Sequence, residues 1–222
     1  MSVSELSASA QNYLKAIWTL SEWSEAPVTT TVLAERTGLR ASSVSDGIRR
    51  LAEQGLVDHV RYGAVELTVE GRRLALAMVR RHRLIEAFLV ESLHYSWDEV
   101  HDEAETLEHA VSDLMVDRID AVLGFPRRDP HGDPIPSADG TVELPTAVVL
   151  TTVEPGSRMR VERISDADPG LLQFLADRGV QIGTVVDVRE PAPYTGTLEL
   201  TVDGTPLSLG PAAAEAIWVS DA

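Results

Sequence analysis

The sequence predicts a mainly α-helical protein with a small β domain at its C-terminal end. Three observations carry this reading. Helical periodicity runs from Leu6 to about Leu123, broken only by a short strand-like interlude. A stretch rich in proline and glycine then follows, from Phe125 to Pro145. From Ala147 onward the pattern changes to short alternating runs.

The first helix is expected over Leu6–Trp23, where Leu6, Ala10, Tyr13, Leu14, Ile17, Trp18 and Leu20 recur at helical spacing. Pro27 ends that region, and Thr29-Thr30-Thr31 offers a cap for a short helix through Arg36. Gly38 supplies the turn. Ala41-Ser42-Ser43-Val44-Ser45 opens a second short helix that buries Val44, Ile48, Leu51 and Ala52, and Gly55 ends it. Leu56–Val60 and Val65–Leu67 read as strands, with the hairpin tip at Arg61–Ala64. Together these elements make a winged helix-turn-helix. Thr68 is placed to cap a long helix from Glu70 to about Leu93. Ser96, with Glu99 at the reach-back position, is placed to cap another that runs to Leu123 before Gly124. The segment Phe125–Pro145 is read as an ordered tail and linker. Beyond it, Met159–Ile164, Val185–Val188, Leu198–Val202 and Ile217–Val219 suit a small β-barrel, with one short helix over Asp168–Leu175.

The chain has 222 residues and no cysteine, which excludes disulfides, thiolate zinc sites and iron–sulfur clusters. No apolar run is long enough to cross a bilayer and the first residues do not resemble a signal peptide, so a cytoplasmic protein without a membrane partner is expected. A net charge of −16 argues at first against a nucleic-acid partner. The distribution softens that objection. Val28–Ala64 holds five arginines against four acids, whereas Glu91–Glu143 holds 14 acids and three arginines. Asp98, Glu99, Asp117 and Asp120 in the acidic stretch suit a solvated face.

That stretch contains His101-Asp102-Glu103-Ala104-Glu105-Thr106-Leu107-Glu108-His109, and His82 and Glu86 lie upstream. On a helix, residues three and four apart share a face. His101 with Glu105, Glu105 with Glu108 and His109, and His82 with Glu86 therefore present nitrogen and oxygen donors together. This is ligand chemistry for a divalent first-row metal, with no soft sulfur in it. Asp102 and Glu103 suit a solvated face or partners that orient a ligating imidazole. His59, His94 and His131 are read as structural or exposed.

The start of the second short helix presents Arg40, Ser42, Ser43 and Ser45, the positions from which a recognition helix meets base edges. Arg49, Arg50 and Arg61 suit backbone phosphates, as does Thr30. Few strong base-reading side chains are present, so specificity is expected to draw on DNA shape and apolar contacts. Helix-turn-helix topology also occurs in proteins that bind no DNA.

Arg80-Arg81-His82-Arg83-Leu84-Ile85-Glu86, Val100–His109 and Pro130-His131-Gly132-Asp133-Pro134-Ile135-Pro136, in that order, closely resemble the diphtheria-toxin-repressor family and its manganese-dependent members. The resemblance covers most of the chain. It implies a winged-helix DNA-binding domain over 1–72, a helical metal-binding and dimerisation domain with its proline-rich linker over 73–145, and an SH3-like barrel over 146–222. It implies a repressor that acts as a homodimer on double-stranded operator DNA and controls metal-uptake genes, with no small organic substrate. The family's primary metal site maps onto Asn12, Glu105, Glu108 and His109. Its ancillary site maps onto His82, Glu86 and His101, with Asp166 and Asp168 as donors from the barrel; Asp168 suits a helix cap equally well. Iron-sensing relatives carry sulfur ligands at the positions of Asn12 and Glu105. Oxygen there makes the site harder, which favours Mn(II), with Fe(II) as the alternative. Two departures stand out: Asn12 replaces the usual aspartate of manganese sensors, and Lys15 stands where the compact two-metal centre has glutamate.

Two other classes of protein offer alternatives. A metalloenzyme would need a motif such as paired Glu-x-x-His repeats or His-Glu-x-x-His, and the sequence has neither. A metal-independent regulator would use the barrel to bind peptide, with Pro126–Pro136 as a segment able to dock on it.

Overall fold

The computed structural model describes residues 2–59, 63–191 and 194–222. Arg61, read from the sequence as a phosphate contact at the hairpin tip, lies outside the described residues. The chain divides into two compact units. The first comprises Met1–His82, Thr106–Arg118 and Pro136–Val142, and the second Arg83–Glu105, Ile119–Ile135 and Glu143–Ala222.

The first unit opens with a 3-10 turn at Val3–Glu5, closed by a capping box between Ser2 and Glu5. Helix α1 (Ala8–Trp23) starts two residues later than the periodicity suggests, because Ser7 caps it through Ala10 N at 3.3 Å. Thr29 caps α2 (Thr30–Thr37), and Gly38 ends it in the left-handed conformation. Helix α3 (Ala41–Glu53) buries Val44, Gly47, Ile48 and Leu51, the i, i+3, i+4, i+7 stripe of an amphipathic helix. Strands β1 (Val57–His59) and β2 (Val65–Leu67) pair antiparallel, with Asp58 opposite Glu66. One core joins these elements, and Leu14, Ile17, Leu33, Ile48, Leu51, Leu56, Leu74 and Met78 are all but fully buried in it. Each such side chain contributes about 1.5–3 kcal/mol through apolar burial.

Helix α4 (Val69–Leu93) begins against this core. Thr68 Oγ1 caps it through Gly71 N at 3.1 Å and donates to Gly55 O at 2.8 Å. Gly71 has to be glycine, since a Cβ there would lie 1.8 Å from the Leu56 carbonyl oxygen. The clash is with backbone, so no rotamer relieves it. Gly71→Ala is expected to cost about 1–3 kcal/mol despite alanine's better helix propensity. Denaturant unfolding of the metal-free protein checks this, and a neutral or stabilising effect would show that α4 can back away from Leu56.

One predicted element needs correction. The sequence suggested a single helix from Ser96 to about Leu123, but there are two, α5 (Val100–Leu107) and α6 (Asp113–Val122). Glu108 and His109 lie in the turn between them, off the helical face assumed for them. The break has a local cause in the first unit. Arg81 donates to the Glu108 carbonyl at 3.1 Å, the acceptor a continuous helix would reserve for Ser112 N–H. Ser112 Oγ then accepts from Met115 N at 3.2 Å at the start of α6. Ser96 and Glu99 do bond to each other, Ser96 Oγ donating to Glu99 at 2.6 Å, but in the turn before α5.

The second unit is dominated by a six-stranded antiparallel sheet in the order β3-β8-β4-β5-β6-β7. Its strands are β3 (Val148–Val149), β4 (Arg158–Ile164), β5 (Val185–Arg189), β6 (Leu198–Val202), β7 (Thr205–Leu209) and β8 (Ile217–Asp221). Helices α7 (Pro169–Ala176) and α8 (Pro211–Glu215) accompany it. Val161, Val186, Val188, Leu200, Val202 and Leu209 alternate inward and pack with Leu172 and Leu175 of α7. The expected small β domain is present, but the sheet is not closed into a true barrel: among the described residues its outer strands β3 and β7 do not pair. β3 has two residues, and Pro206 in β7 lacks an N–H donor, as suits an edge strand. The sequence reading missed β3, β7 and α8.

Candidate metal centre and DNA-reading face

In the first unit the buried carboxylate is Glu108, whose side chain is fully shielded from solvent. Lys15 on α1 donates to both of its oxygens, at 2.6 and 2.7 Å, and His82 Nδ1 meets Oε2 at 2.6 Å. Burial alone would push the Glu108 carboxyl up. The His82 hydrogen bond and the charges of His82 and Lys15 outweigh it and hold the group below its ordinary value.

His109 is oriented by Gln11, which the sequence reading passed over. Gln11 Nε2 donates to Val3 O at 2.9 Å and Leu6 O at 3.1 Å, so its carbonyl oxygen faces His109 Nδ1, at 2.7 Å. Nδ1 then carries the proton, and the Nε2 lone pair lies 3.6 Å from Glu108 Oε1. An imidazole held in this way is set up to ligate a metal through Nε2. The available signal was a polar residue on a buried stripe, Gln11 being in register with Leu14 and Trp18. Asn12 Oδ1 is buried without a hydrogen-bond partner among the described residues. Leaving a carbonyl oxygen dry costs about 1–3 kcal/mol, so an orphan of this kind fits a cation. Glu105, the remaining member of the set read from sequence, belongs to the second unit.

In the second unit, Glu86, His101 and Asp166 bring ligand atoms within 4.8 Å of one another. His101 Nδ1 lies 2.9 Å from Asp166 Oδ2 and 3.4 Å from Glu86 Oε1, and its Nε2 lies 3.7 Å from Glu105. Burial alone would lower the His101 pKa, but Asp166 and Glu86 override it and raise it to about 10. Asp168 is not gathered with them: it is exposed, and its Oδ1 caps α7 through Gly170 N at 2.9 Å and Leu171 N at 3.2 Å.

A second group here draws on the proline-rich segment: Glu86, Asp129 and His131. His131, expected from the sequence to be structural or exposed, is 1% exposed. Its Nε2–H donates to Trp97 O at 2.7 Å, and Nδ1, 4.0 Å from Glu86, has no hydrogen bond among the described residues. Asp129 Oδ1 accepts from His131 N and Asp133 N, both at 2.9 Å, which shapes the loop. The His131 carbonyl accepts from Ile164 N at 2.9 Å, docking the loop on β4. Only glycine fits at 132, where a Cβ would meet Glu162 O at 2.1 Å. Burial, reinforced by the Glu86 charge, pushes Asp129 up to about 6. The charges of His131 and of Arg83, whose Nε lies 3.6 Å from Asp129 Oδ2, act the other way without cancelling the shift. The legible signal was the density of ionisable residues in Asp129-Pro130-His131-Gly132-Asp133, a segment too turn-rich to be a solvated helix.

On the other face of the first unit's α3, Ser42, Ser43, Ser45, Arg49 and Arg50 are exposed, as is Arg40 at its N-cap, while Thr30 on α2 is half-buried. Arg49 pairs with Asp46 at 2.9 Å across one turn. Tyr13 of α1 donates to Ser43 O at 3.3 Å and so ties α1 to the reading helix.

A winged helix combined with imidazole–carboxylate clusters defines a metal-responsive DNA-binding regulator. Comparisons with known proteins agree. Residues 5–65 match the iron dependent repressor N-terminal DNA binding domain, 68–137 the iron dependent repressor metal binding and dimerisation domain, and 148–221 the FeoA domain. The diphtheria toxin repressor of Corynebacterium glutamicum is 32% identical over 97% of each chain. The iron-dependent repressor IdeR of Mycobacterium leprae is 32% identical over 80% of this chain and 82% of its own. Among solved structures, a manganese-dependent transcriptional repressor in complex with manganese superposes with a TM-score of 0.92 at 56% identity, over 96% of this chain and 100% of that one. ScaR with bound Zn2+ superposes at 0.83 with 29% identity, over 96% and 99%. The chain belongs to the diphtheria toxin repressor family of metal-dependent transcriptional repressors. It is thus a DNA-binding regulator and not an enzyme, and no helix among the described residues is long and apolar enough to cross a membrane.

Proposed function

We propose that this repressor answers to Mn(II), binds operator DNA as a homodimer and controls metal-uptake genes. The observation that carries the metal assignment is the donor set. In the first unit the available ligands are Asn12 Oδ1, a Glu108 carboxylate oxygen and His109 Nε2, all hard or borderline, with no sulfur. In the second they are Glu86, His101 and Asp166, joined by Asp129 and His131. Such sets suit Mn(II), which ranks low in intrinsic affinity and depends on ligand type for selection. The 56% identity to a manganese-dependent repressor supports the same choice. The domain division at residues 72 and 145 is part of this reading.

A bound ion would supply the positive charge that Asn12, Glu108 and His109 are placed to hold. Asn12 lies on α1, and α1 holds the reading helix through Tyr13, so ordering around Asn12 is passed to α3. Two copies then offer reading helices to half-sites about 34 Å apart, or a multiple of that. Linkage requires DNA to tighten metal binding by the same free energy with which metal tightens DNA binding. A gel-shift titration with Mn(II), with Fe(II) under anaerobic conditions, and with chelator tests the reading. Retarded operator DNA with Mn(II) at lower concentration than with Fe(II), and none with chelator, is expected. Equal retardation in chelator would overturn the metal dependence, and a preference for Fe(II) would overturn the choice of metal.

A further inference from the structure

Lys15 is the sole lysine in the chain; the other 18 strongly basic residues are all arginine. It does not sit on the solvent-facing surface. Its side chain is 11% exposed, and its ammonium lies 2.6 and 2.7 Å from the two oxygens of the fully buried Glu108 and 3.4 Å from His82 Nδ1. That is a cation's position among a carboxylate and an imidazole, filled by a group the chain itself carries. Lysine suits this place. Its charge is compact, and its four-carbon stem can carry that charge away again.

We propose that Lys15 is a tethered competitor for the metal ion. It holds Glu108 in the metal-free protein, and a divalent ion must displace it to take that carboxylate as a ligand. The inference rests on the reading of Glu108 as a ligand. The physical ground is charge. An ammonium in contact with both Glu108 oxygens occupies their lone pairs and repels a dication arriving at the same group. The exchange of one cation for another keeps the buried carboxylate neutralised in both states, which avoids the cost of an uncompensated buried charge. Lys15 therefore raises the metal concentration at which the repressor loads.

Two measurements test this, both with Mn(II) alone as the probe. In calorimetric titrations, Lys15→Met and Lys15→Gln are expected to bind Mn(II) about tenfold or more tightly than the wild type. Lys15→Arg, which keeps the charge, is expected to stay within a fewfold of wild type. Unchanged or weaker binding in both neutral variants overturns the competitor role. The second measurement needs no variant. Because Lys15 is the only lysine, amine-directed acetylation read by mass spectrometry of a peptide that carries no terminal amine reports on its side chain alone. Labelling is expected to be slow in chelator and several-fold faster with Mn(II) bound. Equal or slower labelling in the loaded protein overturns the proposal even if the variants fail to fold. If the wild type binds no Mn(II), the ligand reading falls and takes this inference with it; binding without a change in labelling removes only the role given to Lys15.

Discussion

Glu108→Ala is expected to destabilise the metal-free protein by about 1–3 kcal/mol, since Lys15 can carry its charge to water on its flexible stem while His82 loses its carboxylate partner. The Glu108 side chain has no solvent exposure, and the cation paired with it, Lys15, is 11% exposed. Removing the carboxylate takes away the oxygens that Lys15 and His82 Nδ1 both meet, the His82 side chain being 8% exposed. Glu108→Gln keeps the shape and one acceptor, and should fall between. Asp113→Ala makes the contrast. Asp113 also forms an ion pair, with Arg81 at 2.6 Å, but its side chain is 71% exposed, so its loss should matter little. Urea unfolding of chelated samples measures all three. No measurable loss for Glu108→Ala would mean that the contacts of Lys15 and His82 with Glu108 contribute nothing to the metal-free fold. The same substitution should also abolish Mn(II) uptake in the first unit, which calorimetry reads independently of stability.

The second large effect is a dependence on pH centred on His101. Burial alone would lower its pKa, but hydrogen bonds and charge from Asp166 and Glu86 raise it from 6.5 to about 10. A group whose folded pKa is raised binds an extra proton when folded. Its stabilising contribution is complete below pH 6.5 and is lost as pH climbs through 10. Across that window the metal-free protein should lose stability with rising pH, at up to roughly 1.4 kcal/mol per unit. Asp166 is the other half of the same ion pair. Burial opposes ionisation, but His101 prevails and holds its carboxyl well below the usual carboxylate range. Its contribution is present above the ordinary carboxylate pKa and is lost in acid as pH falls through the folded value. The shared attraction is a single quantity, not two. Urea midpoints at pH 6 and pH 9 should differ in chelated wild type and converge in His101→Gln. Metal loading reverses the sign. A ligating imidazole must be deprotonated, so Mn(II) binding at His101 should expel close to one proton and tighten with pH over the same window. Titrations in buffers of different ionisation enthalpy count that proton. No release would mean that His101 stays protonated and is not a ligand.

Local pattern made much of this molecule legible. The winged helix followed from periodicity and caps: Thr29, Gly38 and the stripe Val44, Ile48, Leu51 all behave as their residue types require. The types of donor in the acidic stretch were also plain, because imidazole and carboxylate chemistry belongs to the side chain wherever it is placed. The helix break at Glu108–Ser112 was not legible. It depends on Arg81, 27 residues earlier in the chain, taking the Glu108 carbonyl, and no local rule foresees so distant a donor.

The open edges of the sheet follow the same division. Runs of alternating residues announced strands β4, β5, β6 and β8, whereas β3 and β7 exist only through the neighbours they pair with. The candidate metal centres show it most clearly. Sequence determined that hard and borderline donors occur in abundance and that sulfur from cysteine does not. Tertiary structure decided which nitrogen of His109 and of His131 is held by a hydrogen bond and which faces a carboxylate. It also brought Asp129 and His131 out of a proline-rich segment to Glu86, and set the chain's one lysine on its most buried carboxylate. The physical reason is range. Propensity, capping and periodicity act over a few residues, whereas burial and charge pairing act between groups that only a folded chain can bring together.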